Sequence, residues 1–127
     1  MYAIIDLETS GGKFNQEKII EIAIVIFDGK KISKKFSTLV NPGIKVDYYV
    51  QKLTGIKKSQ LDKEHGFDKY AKKVLNLVEN MILVGHNVEY DYRVLKNEFK
   101  LCKIDYSSET ICTIEMAKQS YLSLIHI

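Results

Sequence analysis

Tyr2-Ala3-Ile4-Ile5-Asp6-Leu7-Glu8-Thr9-Ser10-Gly11-Gly12 opens the chain as an apolar strand that ends in two acids and a glycine turn. Residues 2–8 read as the strand and Thr9 to Gly12 as the turn, where glycine is free to take positive φ. Side chains alternate along a strand, so Asp6 and Glu8 share one face while Ala3, Ile5 and Leu7 share the other. Two neighbouring carboxylates in so apolar a strand repel each other and are costly to desolvate. A divalent cation removes both costs, and magnesium favours a few carboxylates together with water and phosphate oxygens. Read alone, the pair also fits a strand that stops at Ile5, with both acids solvated in the loop beyond.

Working outward, Ile19-Ile20-Glu21-Ile22-Ala23-Ile24-Val25-Ile26-Phe27, inside the segment 17–28, is β-branched on both faces. That pattern suits a central strand covered on both sides. Glu21 within it is expected to make a structural hydrogen bond. Asp28-Gly29 signals a two-residue hairpin. A third strand runs from about Lys31 to Val40, and Asn41-Pro42-Gly43 ends it, so the three strands form an antiparallel meander. Helical periodicity then takes over. Phe67, Tyr70, Ala71, Val74, Leu75 and Val78 fall on one stripe, and Lys69, Lys72 and Lys73 face away. Met81 to Val84 reads as a fourth strand, Asn87 as the cap of a helix from Val88 to about Lys100, and Ile111 to about Ser120 as a last helix. The order describes an α/β domain with a mixed sheet.

Within the helix after Asn87, the residues Val88, Asp91, Tyr92, Leu95 and Phe99 follow the spacing of one face. Asp91 thus lies in the stripe that packs on the sheet, while Glu89, Arg93 and Lys96 are better placed for solvent. A lone acid on an inward face needs a partner. A metal shared with Asp6 and Glu8 supplies one; a buried hydrogen bond, or a place at the wet edge of the stripe, also fits.

The bulk composition sets bounds. A length of 127 residues suits one domain, 46% hydrophobic content allows a real core, and 28% charged content keeps the surface polar. The net charge of +3 is compatible with a polyanionic partner, though many proteins without one share it. Lys57, Lys58, Lys63, Lys69, Lys72 and Lys73 read as a solvated face, with a phosphate-facing patch as the alternative. His65 is expected to be solvated in a loop. Cys102 and Cys112 make neither a disulfide framework nor a zinc site, and are expected as reduced thiols. No apolar run approaches the roughly 20 residues of a membrane span, and the opening residues lack the basic segment of a secretory signal. A cytoplasmic protein with no membrane partner is expected.

Together the segments resemble the DnaQ-like (DEDD) exonucleases, the family of the proofreading subunit of bacterial replicative polymerases. Asp6-Leu7-Glu8-Thr9-Ser10-Gly11 resembles the first motif, D-x-E-T-x-G. Gly85-His86-Asn87-Val88-Glu89-Tyr90-Asp91 is similar to the second, with Tyr in place of Phe in its H-N-x-x-F-D core. Leu53-Thr54-Gly55-Ile56 resembles a segment that commonly lies between them, and Glu109-Thr110-Ile111-Cys112-Thr113 the strand-to-helix region that follows. The resemblance covers residues 2 to about 121.

The resemblance implies a ribonuclease H-like fold: a mixed five-stranded sheet flanked by helices. It implies 3′–5′ hydrolysis of nucleic acid, DNA rather than RNA, with two Mg²⁺ or Mn²⁺ ions and release of nucleoside monophosphates. One ion activates a water and the other stabilises the leaving oxygen. Asp6, Glu8 and Asp91 are then the catalytic metal ligands. Substrate contacts are implied at Leu7, at Thr9 and Ser10, around which the backbone approaches the terminal nucleotide, and at Leu53, Thr54 and Ile56, which pack on the terminal base. His86 and Asn87, near the site, are likewise implied as substrate-binding residues, with a packing or capping role as the alternative for His86. Tyr90 offers a stacking surface or, alternatively, packs in the core. The implied partners are a single-stranded 3′ end and a polymerase or other replication or repair protein. The competing reading is a binding module that holds a 3′ end without cutting it, or one domain of a larger repair or replication protein.

The family's third motif is a His followed five residues later by an Asp, which serve as general base and remaining metal ligand. His126 does not meet it, because it lies too close to Asp91 and only Ile127 follows it. Leu122-Ser123-Leu124-Ile125-His126-Ile127 is what a transposase-derived sequencing adapter encodes in one reading frame. The expectation is therefore an exonuclease domain over residues 1–121, incomplete at its C-terminus and weakly active or inactive as it stands, followed by a non-native tail over 122–127.

Overall fold

A computed structural model describes residues 1–113. The opening segment forms β1 (Tyr2–Thr9), which runs through both acids and does not stop at Ile5. Ala3, Ile5 and Leu7 are buried, as the alternation requires, whereas Asp6 is exposed and Glu8 half-buried. β2 (Ile19–Phe27) pairs antiparallel with β1, setting Ile5 opposite Ile24 and Leu7 opposite Ile22. β3 (Ile32–Leu39) pairs antiparallel with β2 and closes that edge with the exposed residues Ser33, Lys34 and Lys35, which discourage further strand pairing. On its other side β1 pairs in parallel with β4 (Ile82–Gly85), and β4 in parallel with β5 (Thr110–Cys112). The result is a five-stranded mixed sheet of order β3-β2-β1-β4-β5, the architecture expected, with the acid-bearing strand at its centre.

Four helices lie around it: α1 (Tyr48–Thr54), α2 (Lys58–Leu61), α3 (Phe67–Val78) and α4 (Val88–Leu101). The stripes of α3 and α4 meet the sheet face made by Ala3, Ile5, Leu7, Ile22, Ile24 and Ile26 in a single core cluster. Phe67 of α3 meets Phe99 of α4 edge-on at 5.4 Å, which fastens the two helices over the sheet. A separate cluster of Ile20, Val46, Val50, Ile56 and Leu61 fastens the α1–α2 segment. No described helix is long and apolar enough to cross a membrane.

Several boundaries differ from expectation for local reasons. The β2–β3 connection is not a two-residue hairpin, because Phe27 pairs with Ile32 and residues 28–31 form the loop. Asp28 closes that loop through its side chain, whose Oδ1 accepts from the Lys30 and Lys31 N–H groups at 2.8 and 2.9 Å. β4 lies one residue further on than expected and includes Gly85. Asn87 does not cap α4 through its side chain; it sits in the left-handed region (φ 63) and its carbonyl accepts from Tyr90 N–H. Ile111 and Cys112 belong to β5 and not to the start of a helix. The remainder of that expected helix, His126 and the 122–127 tail lie outside the described residues.

Candidate active site

The site grows from the end of β1. Cross-strand register places Ala23 opposite Asp6 and Glu21 directly opposite Glu8, so two acids face each other across the antiparallel pair. The structural hydrogen bond expected for Glu21 is not formed among the described residues; its negative charge acts on Glu8 instead. Register shifts between Glu8 and Thr9, where Ile20 becomes an extra residue in β2. Such a bulge re-aims the strand end beside it.

The third carboxylate comes from the first turn of α4. Asp91 is 6% exposed. Its approach depends on Gly85, the last residue of β4. A Cβ on Gly85 would stand 3.1 Å from Asp91 Oδ2 and 3.2 Å from the Ile5 carbonyl oxygen. The missing side chain is the space through which the helix acid comes up to β1.

These groups repel one another. Burial, and then Asp6 and Glu8, push the Asp91 carboxyl up to about 7. Burial, then Asp6, then Glu21, raise Glu8 above the usual carboxylate range. Among the described residues none of the three carboxylates has a hydrogen-bond or ion-pair partner. The buried hydrogen bond considered for Asp91 is therefore not made there. An all-oxygen, self-repelling set without a countercharge fits a hard divalent cation. Among the described residues no three His, Cys, Asp or Glu side chains close tightly enough to enclose an ion.

The surrounding residues divide into exposed side chains and buried or hydrogen-bonded ones. Leu53 on α1 is 81% exposed, and His86 and Asn87 are exposed. His86 Nδ1 lies 3.2 Å from Thr113 Oγ1. Tyr90 is half-buried, and its hydroxyl lies 2.6 Å from Thr9 Oγ1, which joins α4 to the end of β1. Ser10 is fully buried: its N–H donates to Lys18 O, its Oγ accepts from Lys18 N–H, and its carbonyl accepts from Asp47 N–H. The Thr54 hydroxyl is occupied within α1, donating to Val50 O and accepting from Ile56 N–H. Leu7 and Ile56, expected against the ligand, are buried and belong to the two core clusters.

Two structural pairs escaped the sequence reading. Glu98 on α4 is 2% exposed and takes both the Lys18 ammonium and the Ile19 N–H. It lies seven residues after Asp91, two turns along the same inward stripe, and that spacing was the available signal. Arg93 does not simply point to solvent. It forms a two-pronged ion pair with Glu17, at 3.0 and 2.8 Å. Nothing local in the sequence marks a pair separated by so much chain.

Comparison with known proteins identifies the family. The sequence model of the RNase_T family, described as exonuclease, matches residues 3–125. A 3′–5′ exonuclease DinG of Staphylococcus haemolyticus (strain JCSC1435) is 29% identical over 121 residues, covering 94% of this chain and 13% of that protein. The DinG of Staphylococcus aureus (strain USA300) is likewise 29% identical over 121 residues, 94% of this chain and 14% of its own. The chain thus spans about a seventh of the length of these curated relatives. Among solved structures, Exonuclease X in complex with 5′ overhanging duplex DNA superposes with a TM-score of 0.68 at 28% identity, covering 95% of this chain and 64% of that one. E. coli Exonuclease I in complex with a dT13 oligonucleotide superposes at 0.78 with 16% identity, covering 94% and 29%.

Proposed function

The chain belongs to the RNase_T exonuclease family, and on that premise we propose that the protein removes nucleotides from the 3′ end of DNA by metal-dependent hydrolysis. The observation that supports the reading is that Asp6, Glu8 and Asp91, from a strand and a helix far apart in sequence, are near enough for their charges to act on one another and have no partner among the described residues. DNA is favoured because the Exonuclease X structure that resembles this chain is a DNA complex.

Asp6, Glu8 and Asp91 would hold Mg²⁺ or Mn²⁺, and two such ions supply an activated water and a charge at the leaving oxygen. The protein's own part is to present carboxylates in a setting where a cation relieves their repulsion. Asp91 must lose a proton that the fold holds up to about pH 7, so ion binding strengthens as pH rises through that value. Ser10 and the Thr9–Tyr90 contact fix the end of β1 against β2, α1 and α4, which keeps Asp6 and Glu8 in register with Asp91. Leu53 presents an apolar side chain to a terminal base.

The test is release of mononucleotides from a single strand labelled at its 5′ end, by the full-length protein with Mg²⁺ or Mn²⁺. We expect stepwise shortening that stops in EDTA and falls at least a hundredfold in Asp6→Asn and Asp91→Asn. A strand that is bound but never shortened would leave a 3′-end binding module in place of the enzyme.

A further inference from the structure

We propose that Phe14 is a stacking platform for an unpaired base of the nucleic-acid strand, an inference that rests on the exonuclease reading. Phe14 lies in the loop between β1 and β2 and is 71% exposed. A phenyl ring left in water on a loop is ordinarily loose and costs solvation. This one is held. The Arg93 guanidinium lies 4.3 Å from the Phe14 ring centroid and 5.2 Å from that of Tyr90, so one cation backs both rings. Arg93 is itself clamped by Glu17 and donates to Asn15 Oδ1 at 2.8 Å, and Asn97 reaches the same oxygen at 3.3 Å. Asn15 adopts a left-handed conformation (φ 63), which turns the loop back onto α4. The clamp therefore orders an aromatic ring whose remaining surface faces water.

Glu17 already neutralises Arg93, so the guanidinium serves to hold the ring and is not a free phosphate site. What the loop offers outward is a π-face, with the exposed Lys13 beside it for a backbone phosphate. Every nucleobase has a complementary face, and stacking of this kind tolerates any sequence. The platform is tied to the carboxylates: Tyr90 bonds Thr9, the residue after Glu8. A strand whose 3′ end lies at Asp6, Glu8 and Asp91 thus has an ordered aromatic surface on the neighbouring loop.

The chain has no tryptophan, so Phe14→Trp places a single tryptophan at the platform, excited selectively at wavelengths that the tyrosines do not absorb. It is titrated in EDTA with an oligothymidylate and with an abasic strand of equal length and charge. We expect quenching by the base-bearing strand and none by the abasic one. In anisotropy measurements Phe14→Ala should bind oligothymidylate about tenfold more weakly, or ~1.4 kcal/mol, with abasic binding unchanged and Phe14→Tyr close to the unaltered chain. Equal quenching by both strands, or an equal effect of Phe14→Ala on both, overturns the platform. A neutral Phe14 in a protein that still releases mononucleotides sinks the platform alone. Failure to bind either strand sinks the nuclease reading with it.

Discussion

Helix α4 buries two acids two turns apart and treats them oppositely. Glu98, 2% exposed, is satisfied by the Lys18 ammonium and the Ile19 N–H. Asp91, 6% exposed, has no described partner and faces two more acids, so its carboxyl is pushed up to about 7. Equal burial therefore says little about role. A buried acid with a cation and a donor fastens the fold, here the start of β2 to the helix. A buried acid held among other acids stores an electrostatic cost that only a proton or a cation removes.

The comparison can be broken most sharply at Glu98. Glu98→Ala leaves Lys18, about a quarter exposed, and the buried Ile19 N–H without their partner. We expect a loss of about 3 kcal/mol in urea denaturation; a loss within experimental error would make the two acids equivalent.

At Asp91 the sign should reverse. In the unfolded chain this carboxyl ionises near ~3.9, whereas in the fold it keeps its proton up to about 7. The folded state binds more protons between those values, so stability falls as pH rises through that window. Asp91→Asn should therefore stabilise the metal-free protein by roughly 2 kcal/mol at pH 8 and flatten its stability profile from pH 4 to 7. Mn²⁺ should raise the melting temperature of the unaltered protein at pH 8 and leave that of Asp91→Asn almost unmoved, with EDTA reversing the shift. A destabilised Asp91→Asn would mean that this acid, too, is structural.

Gly85→Ala sharpens the comparison without touching a charge. The added methyl would meet Asp91 Oδ2 at 3.1 Å and the Ile5 carbonyl at 3.2 Å. About 1–2 kcal/mol should be lost through crowding, and calorimetry should find weaker Mn²⁺ binding; unchanged affinity would show that Asp91 does not need this gap. The smallest effect is expected for Tyr90→Phe, which removes the hydroxyl that contacts Thr9 at 2.6 Å. A loss of about 1 kcal/mol follows, and scanning calorimetry would detect its absence.

Much of this contrast was legible before the fold was known, and the limits have physical causes. Alternation along β1 placed Asp6 and Glu8 on one face, and helical spacing placed Asp91 inward, because both periods are local. The same stripe contains Glu98, but spacing alone does not reveal whether an inward acid has a partner; Lys18 lies eighty residues away. Arg93 was read as solvent-facing for the same reason. α1 and α2, of 7 and 4 residues, are too short to carry a periodic signal, and their cluster around Ile56 depends on contacts with Ile20. Cross-strand register, which sets Glu21 against Glu8, depends on a bulge at Ile20 that no dipeptide announces.

The pairing of Ser10 with Lys18 has a consequence for how such a protein can change. The Ser10 N–H bonds the Lys18 carbonyl, and the Lys18 N–H bonds the Ser10 hydroxyl, so the segment carrying Phe14 is closed at its base by two bonds. Length and composition above that closure can vary at modest entropic cost, and the strand bearing Asp6 and Glu8 need not move. The segment behaves as an exchangeable cassette: mutation or recombination within it can redraw the rim while Asp6, Glu8 and Asp91 keep their places.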